Sequence, residues 1–166
     1  MKVDISREHT FVVCAYKESQ YLEECIQSVL NQNIKSNVII STGTPNSYIK
    51  EVAEKYKLQL FVNPNPSSLA SDWNFAMGCA KTELVTLAHQ DDVYEKDYSE
   101  NIWKAYNKSK NPIILFSDYA ELRNGKRVLK NKLLTIKRVM LSPLKIPAFW
   151  NSKFIRRRIL SFGSAI

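Results

Sequence analysis

Five short apolar runs alternate with four amphipathic repeats between Thr10 and Asp118, and this alternation restricts the chain to very few architectures. Thr10-Phe11-Val12-Val13-Cys14-Ala15 is nearly continuous in apolar character, the pattern of a strand buried on both faces. Leu22, Cys25, Ile26, Val29 and Leu30 follow at helical spacing, with Ser19 as the expected N-cap. Asn37 to Ser41 and Leu58 to Val62 read as the second and third strands. Between them, Pro45 opens a helix that carries Ile49, Val52, Ala53 and Tyr56 on one face. A helix from about Ser68 presents Leu69, Trp73, Ala76, Met77 and Ala80, of which Trp73 and Met77 are expected in the core. Glu83 to Ala88 is the fourth strand, and Tyr98, Ile102, Ala105 and Tyr106 mark a fourth helix. Ile113 to Asp118 is expected as a fifth strand. The order βαβαβαβαβ predicts an α/β fold, a mostly parallel sheet with helices on both faces.

After Glu121 this rhythm stops. Asn124-Gly125 suggests a hairpin turn, with a strand expected over Arg127 to Ile136. The charge changes at the same point. Residues 1–121 hold 12 Lys and Arg against 16 Asp and Glu, a net of −4, while residues 122–166 hold 12 Lys and Arg and no acid. Such a basic stretch suits an anionic membrane surface or nucleic acid, or is a solvated face. Aromatic residues at the spacing of Phe149, Trp150 and Phe154 are more often core than a stacking platform, so no nucleic acid partner is expected. The division expected is 1–121 as an α/β binding core and 122–166 as a basic, acid-free region.

Other classes are excluded or disfavoured. The N-terminus is charged and lacks the apolar core of a signal peptide, and no apolar run approaches the roughly 20 residues that span a bilayer. Cys14, Cys25 and Cys79 form no CxxC pair and fall in apolar patterns, as buried free thiols of a reducing cytosol would. Neither GxGxxG nor a Walker A loop is present, which disfavours dinucleotide-binding and P-loop enzymes.

Three strand ends carry the chemistry. They are Cys14-Ala15-Tyr16-Lys17-Glu18, Ser41-Thr42-Gly43-Thr44 and His89-Gln90-Asp91-Asp92. In a parallel sheet all three open on one crevice at the carboxyl ends. Adjacent carboxylates there suit a hard divalent cation, or else Asp91 or Asp92 caps the next helix. Tyr16 either stacks on a base or packs beneath its loop. Gly43 serves a close approach or simply a turn.

Over about 100 residues, Phe11 to Tyr119, the chain resembles the inverting family 2 glycosyltransferases of GT-A fold, which is Rossmann-like. The likeness rests on Phe11-Val12-Val13-Cys14-Ala15-Tyr16-Lys17-Glu18, then Tyr21-Leu22-Glu23-Glu24-Cys25-Ile26-Gln27-Ser28-Val29-Leu30-Asn31-Gln32, close to that family's opening strand and helix. Ser71-Asp72-Trp73-Asn74-Phe75-Ala76-Met77 resembles its Arg-Asn-x-Gly helix, with Asn74 in the asparagine position, Ala88-His89-Gln90-Asp91-Asp92 its Asp-x-Asp-Asp metal motif, and Phe116-Ser117-Asp118-Tyr119 the strand that follows.

The resemblance implies transfer of a sugar from a nucleotide-diphosphate sugar, UDP-linked by family habit, to a polysaccharide or lipid-linked acceptor. It implies a nucleotide site of Cys14, Ala15, Tyr16, Glu18, Thr42, Asn74, His89, Gln90 and Asp91. Asn74 either steadies the pocket or caps a helix turn. The metal, Mn²⁺ or Mg²⁺, would sit on Asp91, with His89 and Asp92 as further candidates. A cytoplasmic location is implied, at the inner face of a membrane if 122–166 meets anionic lipid.

Three departures stand out. Ser41-Thr42-Gly43-Thr44 replaces the family's Asp-Asp-Gly-Ser, and His89 replaces the first aspartate of the metal motif. No acid follows Glu121, so the catalytic base is expected beyond residue 166 and Ile166 as the end of a fragment. The alternative is a nucleotide-binding module of the same fold without transferase activity.

Overall fold

The structure, a computed structural model, describes residues 4–110, 112–123 and 125–160. The chain divides into two compact units after Lys110, earlier in the chain than the change of charge at Glu121.

The first unit is an α/β sheet. Its elements are β1 (His9–Ala15), α1 (Leu22–Leu30), β2 (Asn37–Thr42), α2 (Ser47–Lys55), β3 (Gln59–Val62), α3 (Leu69–Cys79), β4 (Leu84–His89) and α4 (Tyr98–Lys108). All strand pairs in this sheet are parallel, in the order β3-β2-β1-β4. The chain therefore builds outward from β1 to β3, then returns to add β4 on the other side of β1. That reversal makes a topological switch point between β1 and β4, where the loops at the carboxyl ends diverge and leave a crevice.

Side-chain alternation along β1 divides the core between the two faces. Phe11, Val13 and Ala15 join Leu22, Cys25, Ile26 and Val29 of α1 and Ile49, Val52 and Ala53 of α2 on one face. Val12 and Cys14 meet Ala76 and Cys79 of α3 on the other. Phe11, Leu22, Ile26, Ile40 and Ile49 are all completely buried, and each such side chain contributes about 1.5–3 kcal/mol relative to exposure. The second face is thinner. Met77, expected in the core, is 47% exposed, and Trp73 is only partly buried. One short helix covers that face, and residues 73 and 77 lie on its flank.

Helix starts follow capping chemistry. Asn46 accepts from the Ile49 N–H at 2.8 Å and Ser68 from the Ser71 N–H at 3.1 Å. Ser19 does not cap α1 as expected. Its hydroxyl accepts from the Tyr21 N–H at 3.3 Å, one residue outside the helix, and Glu23 and Glu24 in the first turn favour the N-terminal dipole instead.

The second unit holds an antiparallel hairpin, β5 (Glu121–Arg123) with β6 (Lys126–Val128), then α5 (Lys132–Leu141), two 3₁₀ turns (Ser142–Lys145 and Pro147–Phe149) and α6 (Lys153–Leu160). Gly125 takes φ +71° in the hairpin turn, a conformation that favours glycine; Asn124 lies outside the described residues. Two expectations fail here. Ile113 to Asp118 forms no strand: Ile113 is 93% exposed, and the run has no ladder partner among the described residues. Its end is organised by Arg138, whose Nε donates to both Asp118 oxygens and whose Nη2 donates to the Tyr119 carbonyl at 3.1 Å. Nor is Arg127 to Ile136 one strand. Asn131 accepts from the Leu134 N–H at 2.8 Å, caps α5 there and converts Leu134 into a buried helical residue.

Candidate functional site: a cleft across three strand ends

A cleft opens at the carboxyl ends of β1, β2 and β4. It is lined by Cys14, Ala15 and Tyr16, by Ser41, Thr42 and Gly43, by Leu69, Asp72 and Trp73 of α3, and by His89, Gln90 and Asp91. Strand register explains the floor. Cys14 pairs with Ser41 on one side and His89 on the other, so these three side chains form a row facing α3. Trp73 stands edge-on to His89, with ring centroids 4.9 Å apart.

Hydrogen bonds stitch the three loops together. The Tyr16 N–H donates to Gln90 Oε1, and Gln90 Nε2 donates to the Tyr16 carbonyl, each at 2.9 Å. The Lys17 N–H donates to Thr44 Oγ1 at 2.6 Å, and the Thr44 N–H donates to Thr42 Oγ1 at 3.0 Å. Lys17 takes φ +54°, a left-handed conformation that costs a non-glycine residue about 1 kcal/mol or more, and the Thr44 bond helps to hold it. The Tyr16 ring, 52% exposed, thus projects from an anchored backbone, with Lys17 Nζ 5.1 Å from its centroid.

Of the residues expected from the sequence, Cys14, Ala15, Tyr16, Thr42, His89, Gln90 and Asp91 are brought together in the cleft. Glu18 and Asn74 are exposed and do not line it, and Asp92 also stays outside the lining. Neither Asp91 nor Asp92 caps a helix, because α4 begins only at Tyr98; Asp92 instead closes a turn, its N–H donating to the His89 carbonyl at 3.0 Å. Desolvation raises the Asp92 carboxyl above the usual range, against the pull of His89 and with a further push from Asp91. Burial, with the nearby charge of Asp72, pushes the Cys14 thiol up to about 12, so it lines the site as a neutral group. Asp118, at the end of the run expected as a fifth strand, is paired with Arg138 within the second unit.

Sequence reading missed Asp72. The residue belongs to the Ser71 to Met77 segment, but helical phase turns Asp72, not Asn74, toward the sheet. Its Oδ1 accepts from Asn63 Nδ2 at 2.7 Å. Asn63 is itself buried and fixed after β3, with its N–H donating to the Thr42 carbonyl at 2.8 Å and its Oδ1 accepting from the Asn65 N–H at 3.1 Å. The Asp72 carboxylate lies flat on Gly43: a β-carbon at position 43 would sit 2.6 Å from Oδ2 and closer still to Oδ1. A side chain at position 43 would push this carboxylate aside, so glycine serves a close approach here rather than unusual dihedral angles.

Among the described residues, no group of three or more His, Cys, Asp or Glu is placed to hold a metal ion. Asp91 is an exposed single carboxylate at the mouth of the cleft, with His89 in the same lining.

These features define a class: a parallel α/β sheet with a cleft across its carboxyl ends at a switch point, the place where open sheets of this kind take their ligands. The glycosyl transferase family 2 model matches residues 10–161, and the chain belongs to that family. It is 26% identical over 117 residues to an uncharacterized glycosyltransferase of Haemophilus influenzae, covering 67% of this chain and 36% of that protein. It is 27% identical over 100 residues to glycosyltransferase GlyA of Streptococcus pneumoniae, covering 57% and 14%. With the minor teichoic acid biosynthesis protein GgaB of Bacillus subtilis it shares 24% identity over 136 residues, 75% of this chain and 15% of that protein. The chain thus spans between about a seventh and about a third of these relatives. Among solved structures, S. aureus TarS 1–349 matches in fold with a TM-score of 0.54 at 18% identity, over 61% of this chain and 32% of TarS. The α/β, GT-A type of fold expected from the sequence is the fold observed. Among the described residues, no helix is long and apolar enough to cross a membrane.

Proposed function

We infer that this chain binds a nucleotide-diphosphate sugar in the cleft and serves inverting glycosyl transfer to a saccharide or lipid-linked acceptor. The observation that carries the reading is the convergence of the β1, β2 and β4 ends on one cleft with Asp91 at its mouth, in a member of family 2. The exposed Tyr16 ring offers a stacking face for the base. The buried hydroxyls of Ser41 and Thr42 offer hydrogen bonds to base or ribose.

Asp91 would hold a divalent cation, Mg²⁺ or Mn²⁺, with His89 as a further candidate. The donor set fits in this respect: Mg²⁺ commonly takes one or two carboxylates and completes its shell with substrate phosphates and water, so a cluster of three protein ligands is not needed. When bound, such a cation neutralises charge on the departing nucleoside diphosphate. The protein's own part is to hold the base end through Tyr16 and the β2 hydroxyls, and to keep the β1 and β4 loops in register through Gln90. No residue of this chain is assigned as the base that activates the acceptor hydroxyl.

The 12 cations of residues 122–166 suit a phosphate-bearing, lipid-linked acceptor at an anionic surface. The match to a relative named for teichoic acid biosynthesis supports a polymer acceptor.

The test is calorimetric titration of UDP, GDP and TDP into the chain with and without Mn²⁺, repeated with Asp91→Ala. Cation-dependent binding that the variant loses is expected. A folded chain that binds no nucleoside diphosphate would refute the reading. A second reading, a nucleotide-binding module without transferase activity, is favoured by one observation: the Asp118 carboxylate is tied to Arg138. Nucleotide binding without consumption of the matching donor sugar by the whole protein would select it.

A further inference from the structure

The cleft carries two carboxylates, and a cation on Asp91 accounts for only one. Asp91 follows β4 and Asp72 rests on Gly43, which follows β2; β1 lies between those strands. At a strand spacing of about 4.8 Å, the two ends of the cleft are roughly 10 Å apart. Asp72 forms no ion pair among the described residues. Its Oδ1 is committed to Asn63, and Oδ2 accepts no hydrogen bond among the described residues.

An ionised carboxylate can only accept. It repels a phosphate and seeks an N–H or O–H. Because β2 ends on the neutral Ser41 and Thr42, Asp72 is the charged acceptor at that end, in the same lining as the exposed face of Tyr16. A flat stacking surface beside a fixed anionic acceptor suits a planar heterocycle that presents a ring N–H at its edge. Uracil, thymine and guanine do so. Cytosine and adenine present a bare ring nitrogen there, whose lone pair would oppose the carboxylate.

We propose that Asp72 is the base-reading residue of this cleft, and that it selects nucleoside diphosphates with a ring N–H over those with an unprotonated ring nitrogen. The proposal rests on the nucleotide-sugar reading of the site. Gly43 and Asn63 act as positioning residues, one by giving the carboxylate a seat and the other by holding Oδ1.

The experiment is calorimetric titration of UDP, TDP, GDP, CDP and ADP, each with Mn²⁺, into the chain, Asp72→Asn and Gly43→Ala. Circular dichroism and melting curves establish that each variant is folded. The parent chain should bind one of UDP, TDP or GDP at least tenfold more tightly than CDP and ADP. Asp72→Asn keeps the shape but can turn an N–H₂ toward the base. It should weaken the preferred nucleotide at least tenfold and reduce the preference over CDP by a similar factor. Gly43→Ala, which displaces the carboxylate, should reproduce the loss. Unchanged selectivity in Asp72→Asn overturns the proposal. So does an equal loss for all five nucleotides, which would place the contact on the ribose. In both cases the nucleotide site itself survives. If the folded parent chain binds none of the five, the proposal and the functional reading fall together.

Discussion

The side-chain amide of Gln90 and the backbone of Tyr16 form a closed two-way pair, each group donating to the other at 2.9 Å. The pair extends the parallel β1–β4 ladder by one cross-link beyond its last register pair, Cys14 with His89, in the manner of an extra rung. It fixes the position from which the exposed Tyr16 ring meets a ligand.

Replacing Gln90 should therefore cost binding more than stability. Gln90→Ala removes two partly solvated hydrogen bonds, each worth about 0.5–1.5 kcal/mol. Gln90→Glu keeps the acceptor for the Tyr16 N–H but faces the Tyr16 carbonyl with a second acceptor, so it should be no better than alanine. We expect either variant to weaken nucleoside diphosphate binding by roughly three- to thirtyfold, with a small change in melting temperature. Titration calorimetry beside thermal melting checks this. A large loss of stability with unchanged affinity would contradict the role.

His9 sets an acid limit on the fold. It is fully buried in β1 between the Ser36 hydroxyl at 2.7 Å and the Thr86 hydroxyl at 2.9 Å, and burial lowers its pKa from 6.5 to about 4. Between pH 6.5 and about 4 the unfolded chain takes up a proton that the native chain refuses. Stability is therefore fully present above pH 6.5 and falls as the pH drops toward 4, by about 3 kcal/mol for this one group. His9→Asn should flatten the dependence in that window, whatever its effect at neutral pH. Urea unfolding from pH 7 to pH 4 measures the slopes; identical slopes would rule out His9 as their source.

The two faces of the sheet should respond differently to truncation. Ile40, fully buried among α1 and α2, should lose about 2–5 kcal/mol as Ile40→Ala. Met77→Ala, on the outer side of α3, should change stability by less than about 0.5 kcal/mol. Denaturant midpoints of the two variants test this directly, and a comparable loss at Met77 would mean that the α3 face is covered in solution.

Much of the fold was legible because parallel sheets write themselves into apolar runs. Phe11 to Ala15, Val38 to Thr42 and Thr86 to Ala88 contain the buried centre of the sheet, and the repeat at Leu22, Cys25, Ile26 and Val29 is the buried stripe of α1. The same logic failed at Ile113 to Asp118, since an apolar β-branched run becomes a strand only where another edge accepts it. It failed again at Arg127 to Ile136, where Asn131 is a capping residue that a strand reading passes over.

By itself, then, the sequence determined the order of elements from β1 to α4, the strand ends that meet at the cleft and the family to which the chain belongs. These depend on local periodicity and on contiguous residues, which a linear text preserves. Only the tertiary structure decided which side chains enter the cleft. It turned Asp72 inward and Asn74 outward, left Glu18 and Asp92 outside the lining, and made Gly43 the seat of a carboxylate 29 positions away. The outcomes at Asp72, Asn74 and Gly43 depend on the rotation of α3 about its axis and on its packing across β1 and β2, and those at Glu18 and Asp92 on the turns that follow β1 and β4. Small differences in helical phase change the first three completely, and nothing in the local pattern records that phase.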